Sequence, residues 1–133
     1  MAWVGPLVDT SVLIDYFGGT ENRESDVLDH LLVDGPPPAT CPIIVQEYLQ
    51  GLLDPHEFAL ARADLEHFDH LPPPHYQVHV RAAEFHLQCK RQGTTVPTVD
   101  TLIVALAKVH GRSLLTRDAR QRDLARIIRV RLL

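Results

Sequence analysis

The chain reads as an α/β protein, a three-layer α/β/α sandwich around a central parallel sheet. Three observations predict this. Short apolar runs (Leu7-Val8, Ala39-Thr40-Cys41, Leu114-Leu115) are too brief for helices and lack the polar alternation of a half-exposed strand. Between them lie segments with apolar residues recurring every three or four positions. Strands alternating with helices imply a sheet covered on both faces, with its ligand site beyond the carboxyl ends of the strands.

In order, residues 6–9 read as a buried strand and Ser11 to Phe17 as a helix with Val12, Leu13 and Ile14 on its apolar face. Residues 21–33 form a second helix, marked by Val27, Leu28, Leu31 and Leu32. Residues 39–41 are a short strand. Pro42 suits the first turn of the next helix, where a missing N–H costs nothing, and that helix ends near Gly51. Residues 55–70 read as helical through Phe58, Ala61, Leu65 and Phe68. Residues 76–91 read so through Val80, Ala83, Phe85 and Leu87. The helix over 98–110 places Leu102, Leu106 and Val109 toward the core and closes at Gly111. A strand at 113–116, a short helix at 118–125 and a last strand at 127–131 complete the pattern. The runs Pro36-Pro37-Pro38 and Pro72-Pro73-Pro74 read as rigid loops. Neither a repeat nor a linker is visible, so residues 1–133 are expected to form a single domain.

A length of 133 residues with 45% hydrophobic and 23% charged residues suits one globular core. Cys41 and Cys89 make no disulfide framework, and no paired Cys/His spacing points to zinc. Neither a leader nor an apolar stretch of about 18 residues is present, so a cytoplasmic location without membrane insertion is expected. The net charge of −4 conceals a split. Residues 1–111 hold 15 acidic against 6 basic residues, whereas residues 112–133 hold 2 against 7. The second set is all arginine, whose planar fork matches phosphate. Arg112, Arg117 and Arg120 are therefore candidates for contact with RNA or a protein partner. A solvated face laced with ion pairs is the alternative.

Four carboxylates sit beside apolar sequence: Asp9, Glu47, Asp100 and Asp118. Burying one carboxylate alone is costly, and gathering four demands a positive counterweight, for which a divalent cation is the natural candidate. All-oxygen ligation suits Mg²⁺ or Mn²⁺. One or two such ions, with metal-activated water attacking a phosphodiester, need no Ser or His nucleophile. Each acid has a structural alternative. Asp9 and Asp118 can cap the helices that follow them, Asp100 sits where a helix dipole favours negative charge, and Glu47 can lie on an outer helix face. Thr10, Ser11 and Thr116 can orient a carboxylate or a metal-bound water, although capping suits Ser11. Asp15 is expected to face solvent or pair with an arginine, and Asp123 is a reserve acid. His75 and His79 lie one turn apart but lack a third ligand.

Leu7-Val8-Asp9-Thr10-Ser11-Val12-Leu13-Ile14-Asp15 resembles the opening of a PIN domain. Glu47 with Gly51-Leu52 is similar to the family's second acidic motif. Asp100-Thr101-Leu102-Ile103-Val104-Ala105-Leu106-Ala107 is similar to the third, and Leu114-Leu115-Thr116-Arg117-Asp118 to the fourth. Order, spacing and length resemble a stand-alone bacterial PIN protein of the VapC toxin kind. The resemblance implies a Mg²⁺- or Mn²⁺-dependent endoribonuclease acting on tRNA or rRNA. It implies Asp9, Glu47, Asp100 and Asp118 as the acidic site, with Asp9 and Asp100 the most direct metal ligands, and it implies a VapB-type antitoxin partner and a homodimer. Cys41-Pro42 replaces a commoner Ser-containing strand end. After Asp118 the usual Asp-Phe continuation gives way to Ala119-Arg120-Gln121-Arg122-Asp123-Leu124. Two other readings stand beside this one. A phosphorylatable receiver module would need an acidic pair after the first strand and a late strand-end lysine, neither of which is present. A PIN scaffold that binds RNA or a protein without cutting would keep the fold and lose the chemistry.

Overall fold

The computed structural model describes residues 3–133. Its elements run β1 (Leu7–Val8), α1 (Thr10–Phe17), α2 (Arg23–Asp34), β2 (Ala39–Thr40), α3 (Pro42–Leu49), α4 (Pro55–Leu65), β3 (Asp69–His70), α5 (Tyr76–Arg91), α6 (Thr98–Val109), β4 (Leu114–Leu115) and α7 (Ala119–Ile127). The four strands form one parallel sheet in the order β3-β2-β1-β4, with Leu7 opposite both Ala39 and Leu114. From β1 the chain steps outward to β2 and β3, then returns across the sheet to β4. Right-handed crossovers put their helices on opposite faces when the direction of travel reverses. Accordingly α1 packs on α2 and α3, and α3 on α4, while α5, α6 and α7 pack on one another in a separate layer. This is the expected α/β/α sandwich.

The central strands are buried on both faces, which explains their unbroken apolar sequence: Leu7, Val8, Leu114 and Leu115 have no exposed surface. Helix α6 is buried almost all round, from Ile103 through Ala107. Its apolar signal therefore extends beyond the single face expected, and Val109 is exposed. In α5 the buried stripe is Val78, Ala82, Phe85 and Cys89. The expected Val80, Ala83 and Leu87 point outward, because the true stripe includes a cysteine and an alanine that carry little apolar signal.

Two elements depart from expectation. Residues 55–70 are not one helix: α4 ends at Leu65, and Asp69–His70 form the edge strand β3 beside β2. Both β3 residues are polar and exposed, so nothing in their side chains marks a strand. At the other edge, α7 continues to Ile127 in place of the expected strand over 127–131. Arg129 takes a positive φ of 62°, and the chain then makes a single parallel bridge from Leu132 to Leu114. Among the described residues, no helix is long and apolar enough to cross a membrane.

Gly5 marks a close approach just before β1. A Cβ there would meet the Pro37 carbonyl oxygen and lie 2.8 Å from its carbon. Ala39 N–H donates to Pro6 C=O at 2.7 Å across the same junction, so the two backbones cannot part without breaking the sheet. Gly5→Ala should therefore destabilise the protein by about 1–3 kcal/mol, the usual cost of overpacking. Urea denaturation checks this, and an unchanged midpoint would contradict the junction described.

Candidate active site

Strand β1 ends in Asp9, β4 leads into Thr116-Arg117-Asp118, and these two strands are neighbours where the strand order reverses. Ligands of open α/β sheets collect at such a point, outside the carboxyl ends of the strands. Asp9 N–H donates to Leu115 C=O at 2.9 Å, which fixes the two strand ends side by side.

Asp9 is 4% exposed and serves as N-cap of α1. Its Oδ2 accepts from Ser11 N–H at 3.1 Å, Ser11 Oγ at 2.6 Å and Thr116 Oγ1 at 3.3 Å. Its Oδ1 accepts from the Gln121 amide Nε2 at 2.9 Å. The same Nε2 donates to Asp100 Oδ1, also at 2.9 Å. Gln121 thus bridges two carboxylates with one nitrogen. Its side chain is fully buried, and its Oε1 has no hydrogen-bond partner. An unpaired buried acceptor costs about 1–3 kcal/mol, so this is an expensive place for an amide.

The other two acids lie beside this bridge. Glu47, on α3, accepts from Thr10 Oγ1 at 3.2 Å. Its pKa is raised, first by burial and then by the charges of Asp9 and Asp100, against the lowering effect of the Thr10 bond. Asp100, in the first turn of α6, is raised in the same way: burial leads, followed by Asp118 and Asp9, while the Gln121 bond and Arg120 oppose it. Asp118 is the N-cap of α7, its Oδ1 accepting from Gln121 N–H at 2.8 Å. Its own N–H donates to Thr116 Oγ1 at 3.0 Å. The structure therefore joins Asp9 and Asp100 through Gln121, with Glu47 and Asp118 flanking them. The capping roles foreseen for Asp9 and Asp118 are present in addition to this gathering.

Thr10, Ser11 and Thr116 all bond the acids or their backbone, and Ser11 Oγ also accepts from Arg117 N–H at 3.1 Å. The arginines divide. Arg112 lies at the opposite end of β4 from Asp118, where it ion-pairs with Asp69 and donates to Gly5 C=O at 3.0 Å. Arg117 pairs with Asp15 at 3.2 Å and with Glu24 at 2.8 Å. Arg120 is exposed and forms no ion pair among the described residues. Asp123 pairs with Arg126, away from the acids. His75 caps α5, its Nδ1 accepting from Gln77 N–H at 3.3 Å.

The sequence reading missed three residues. Gln121 lies within the stretch that departs from the usual motif after Asp118, and that departure was its signal. Glu24, 6% exposed, receives Arg117 and also Arg122 at 2.9 Å. Burial would raise its pKa, but its own backbone N–H and then the two guanidinium groups outweigh burial and hold it down. Arg122 also donates to Thr116 C=O at 2.9 Å and 3.1 Å, so Glu24 braces the turn that carries Thr116 and Asp118.

A model of the PIN domain family matches residues 7–127. The chain belongs to the PIN domain family. This PIN domain is similar to several solved structures. A toxin–antitoxin complex from Klebsiella pneumoniae is 25% identical with a TM-score of 0.70, covering 88% of this chain and 89% of that one. FitAcB from Neisseria gonorrhoeae is 25% identical with a TM-score of 0.72, covering 96% and 95%. VapBC-1 from nontypeable Haemophilus influenzae shares the fold at 17% identity, with a TM-score of 0.73 and coverage of 96% and 95%. No curated protein sequence matches significantly.

The donors of this PIN domain fit a hard divalent cation. Among the described residues, no three His, Cys, Asp or Glu side chains stand close enough to hold a metal together. Mg²⁺ asks for less, since it usually takes one or two carboxylates and completes its shell with water and substrate oxygens. Asp9 and Asp100 supply such a pair.

The two classes of perturbed acid predict opposite pH effects. Glu47 has a raised pKa, so the folded protein gains at low pH and loses stability as pH rises through the carboxylate range. In metal-free buffer, Glu47→Gln should therefore raise Tm at pH 7, and the gain should vanish below about pH 4. Glu24 has a lowered pKa, so its stabilisation is present at neutral pH and fades as pH falls. Glu24→Gln should lower Tm at pH 7 and converge with the wild type in acid. Thermal melts across pH in chelator check both signs.

Proposed function

We propose that this chain is the toxin of a type II toxin–antitoxin module, a VapC-type ribonuclease that uses Mg²⁺ or Mn²⁺ to cleave tRNA or rRNA in the cytoplasm. The observation that carries this is the joining of Asp9 and Asp100 through the Gln121 amide at the sheet's switch point, with Asp9 held by four donors at 2.6–3.3 Å and Asp100 by that amide at 2.9 Å. Membership of the PIN family supports a nuclease. The two structures at 25% identity, both over most of their length, support the toxin reading, since one is described as a toxin–antitoxin complex.

Asp9 and Asp100 would hold the cation, with Glu47 and Asp118 at the rim. A divalent cation there supplies a Lewis acid for the phosphodiester and lowers the pKa of water. The protein's own residues do the rest. Ser11, Thr10 and Thr116 fix the carboxylate orientations. Glu47, held by Thr10 Oγ1 at 3.2 Å, is the rim carboxylate placed to accept a proton. Arg120, exposed beside Asp100, meets the RNA backbone. Arg117 stays with Glu24 and Asp15 and sets the turn, and Arg112 serves the far end of the sheet.

A groove of about 490 Å³ reaches Glu47, with Ile14, Phe17, Tyr48, Leu52 and Leu60 as its apolar lining and Glu57 and Asp64 as further acids on it. Ile14 and Leu60 are more than half exposed on it. We assign it to an apolar segment of a VapB-type antitoxin, which would also bring a tail to the acids. A homodimer of the 133-residue domain completes the proposed assembly.

Purified protein with Mg²⁺ or Mn²⁺ should cleave structured RNA, and Asp9→Asn or Asp100→Asn should each lower the rate at least 100-fold. Cleavage that survives both substitutions, or excess chelator, would sink the mechanism. Folded protein that binds RNA without cutting it under any metal would favour the silent scaffold. Binding should weaken with salt, and Arg120→Ala should reduce the slope of log affinity against log salt by about 0.7, one phosphate contact. Arg112→Ala should leave that slope unchanged.

A further inference from the structure

We infer that Gln121 is a convertible member of the metal site: its amide nitrogen bridges Asp9 and Asp100 as the side chain stands, and turning the amide would offer its oxygen to a cation held by the same two carboxylates. This rests on the metal-dependent reading above.

One nitrogen lies 2.9 Å from Asp9 Oδ1 and 2.9 Å from Asp100 Oδ1. Two ligands at right angles on an octahedral Mg²⁺, each about 2.1 Å from the metal, are about 3.0 Å apart. The amide terminus is therefore spaced from both carboxylates as a further ligand of the same cation would be. The nitrogen cannot ligate, having no free electron pair, but the oxygen on the same carbon can. Amide oxygens are hard ligands of the kind Mg²⁺ and Mn²⁺ accept. Rotation about the last side-chain bond exchanges the two atoms and moves no backbone.

The second observation is the amide oxygen itself. Gln121 is fully buried, yet Oε1 has no hydrogen-bond partner. A glutamine kept only to neutralise two carboxylates would be expected to satisfy both ends. The rotation replaces an unpaired acceptor with an unpaired donor, so burial does not oppose it. What decides the orientation is the occupant facing the two carboxylates: N–H groups are favoured against bare oxyanions, and oxygen against a cation.

The position is held rigidly. Gln121 N–H donates to Asp118 Oδ1 at 2.8 Å, which anchors the first turn of α7. Neighbouring Arg122 is tied to Glu24 and to Thr116 C=O. The backbone of Gln121 is thus fixed and its amide is the free variable. Asp118, the fourth acid, acts on the cation indirectly by placing Gln121.

Mn²⁺ binding without RNA tests this, by calorimetry on wild type, Asp9→Asn, Gln121→Met and Gln121→Glu, with metal-free and Mn²⁺-loaded melts of each. Gln121→Met keeps the volume but removes the amide, and should weaken Mn²⁺ binding at least 10-fold. Gln121→Glu should bind within a few-fold of wild type or more tightly. Without Mn²⁺ it should melt below wild type, because a third carboxylate faces Asp9 and Asp100, and it should gain more from Mn²⁺ than wild type does. Wild-type binding that is matched or exceeded by Gln121→Met would overturn this proposal alone, making the amide a bystander or a lock. Should Gln121→Met fail to fold, a Gln121→Glu protein that binds at least 10-fold more weakly would overturn it equally. Absence of Mn²⁺ binding by wild type would overturn the metal site itself, and this proposal with it.

Discussion

The contact on which this molecule turns is between Gln121 and the carboxylates of Asp9 and Asp100. Two carboxylates in a low-dielectric crevice repel, and neither can be left without donors. Asp9 collects four, from the Ser11 backbone, the Ser11 and Thr116 hydroxyls and the Gln121 amide. Asp100 takes the same amide. Strand β1, helix α6 and helix α7 are joined through one nitrogen. The arrangement holds the charge together but leaves Glu47 and Asp100 with raised pKa values, first through burial and then through their neighbours' charge.

A second charged cluster balances it a few residues away. Glu24 sits buried against Arg117 and Arg122, and its pKa is lowered where those of Glu47 and Asp100 are raised. One chain thus carries carboxylates perturbed in opposite senses, separated by the turn from Thr116 to Asp118. The arginine-paired acid holds the scaffold, and the acids without such partners face the crevice. Most of the C-terminal arginines belong to this structural set or to the far end of the sheet, which leaves Arg120 for the open rim.

Much of this was legible in the sequence, for physical reasons. Leu7-Val8 and Leu114-Leu115 are buried on both faces, so their apolar runs announce central strands. The alternation of strands and helices placed Asp9 and Asp118 at the carboxyl edge. Strand β3 was hidden because an exposed edge pair such as Asp69-His70 has no apolar face to display. The end of α7 was misplaced because Ile127-Ile128 reads as β-branched strand, whereas tertiary packing buries Ile128 beneath a helix end. Gln121 was hidden for a different reason. A glutamine between two arginines looks like helix surface, and only three-dimensional placement shows an uncharged amide doing what a charged residue is expected to do. Its one trace was the unusual sequence after Asp118.

The most direct measurement is the anomalous scattering of Mn²⁺ in crystals of the protein grown or soaked with that ion. The expected result is a strong peak within ligand distance of the Asp9 and Asp100 carboxylates, bounded by Glu47 and Asp118. A saturated crystal with no peak there would contradict it.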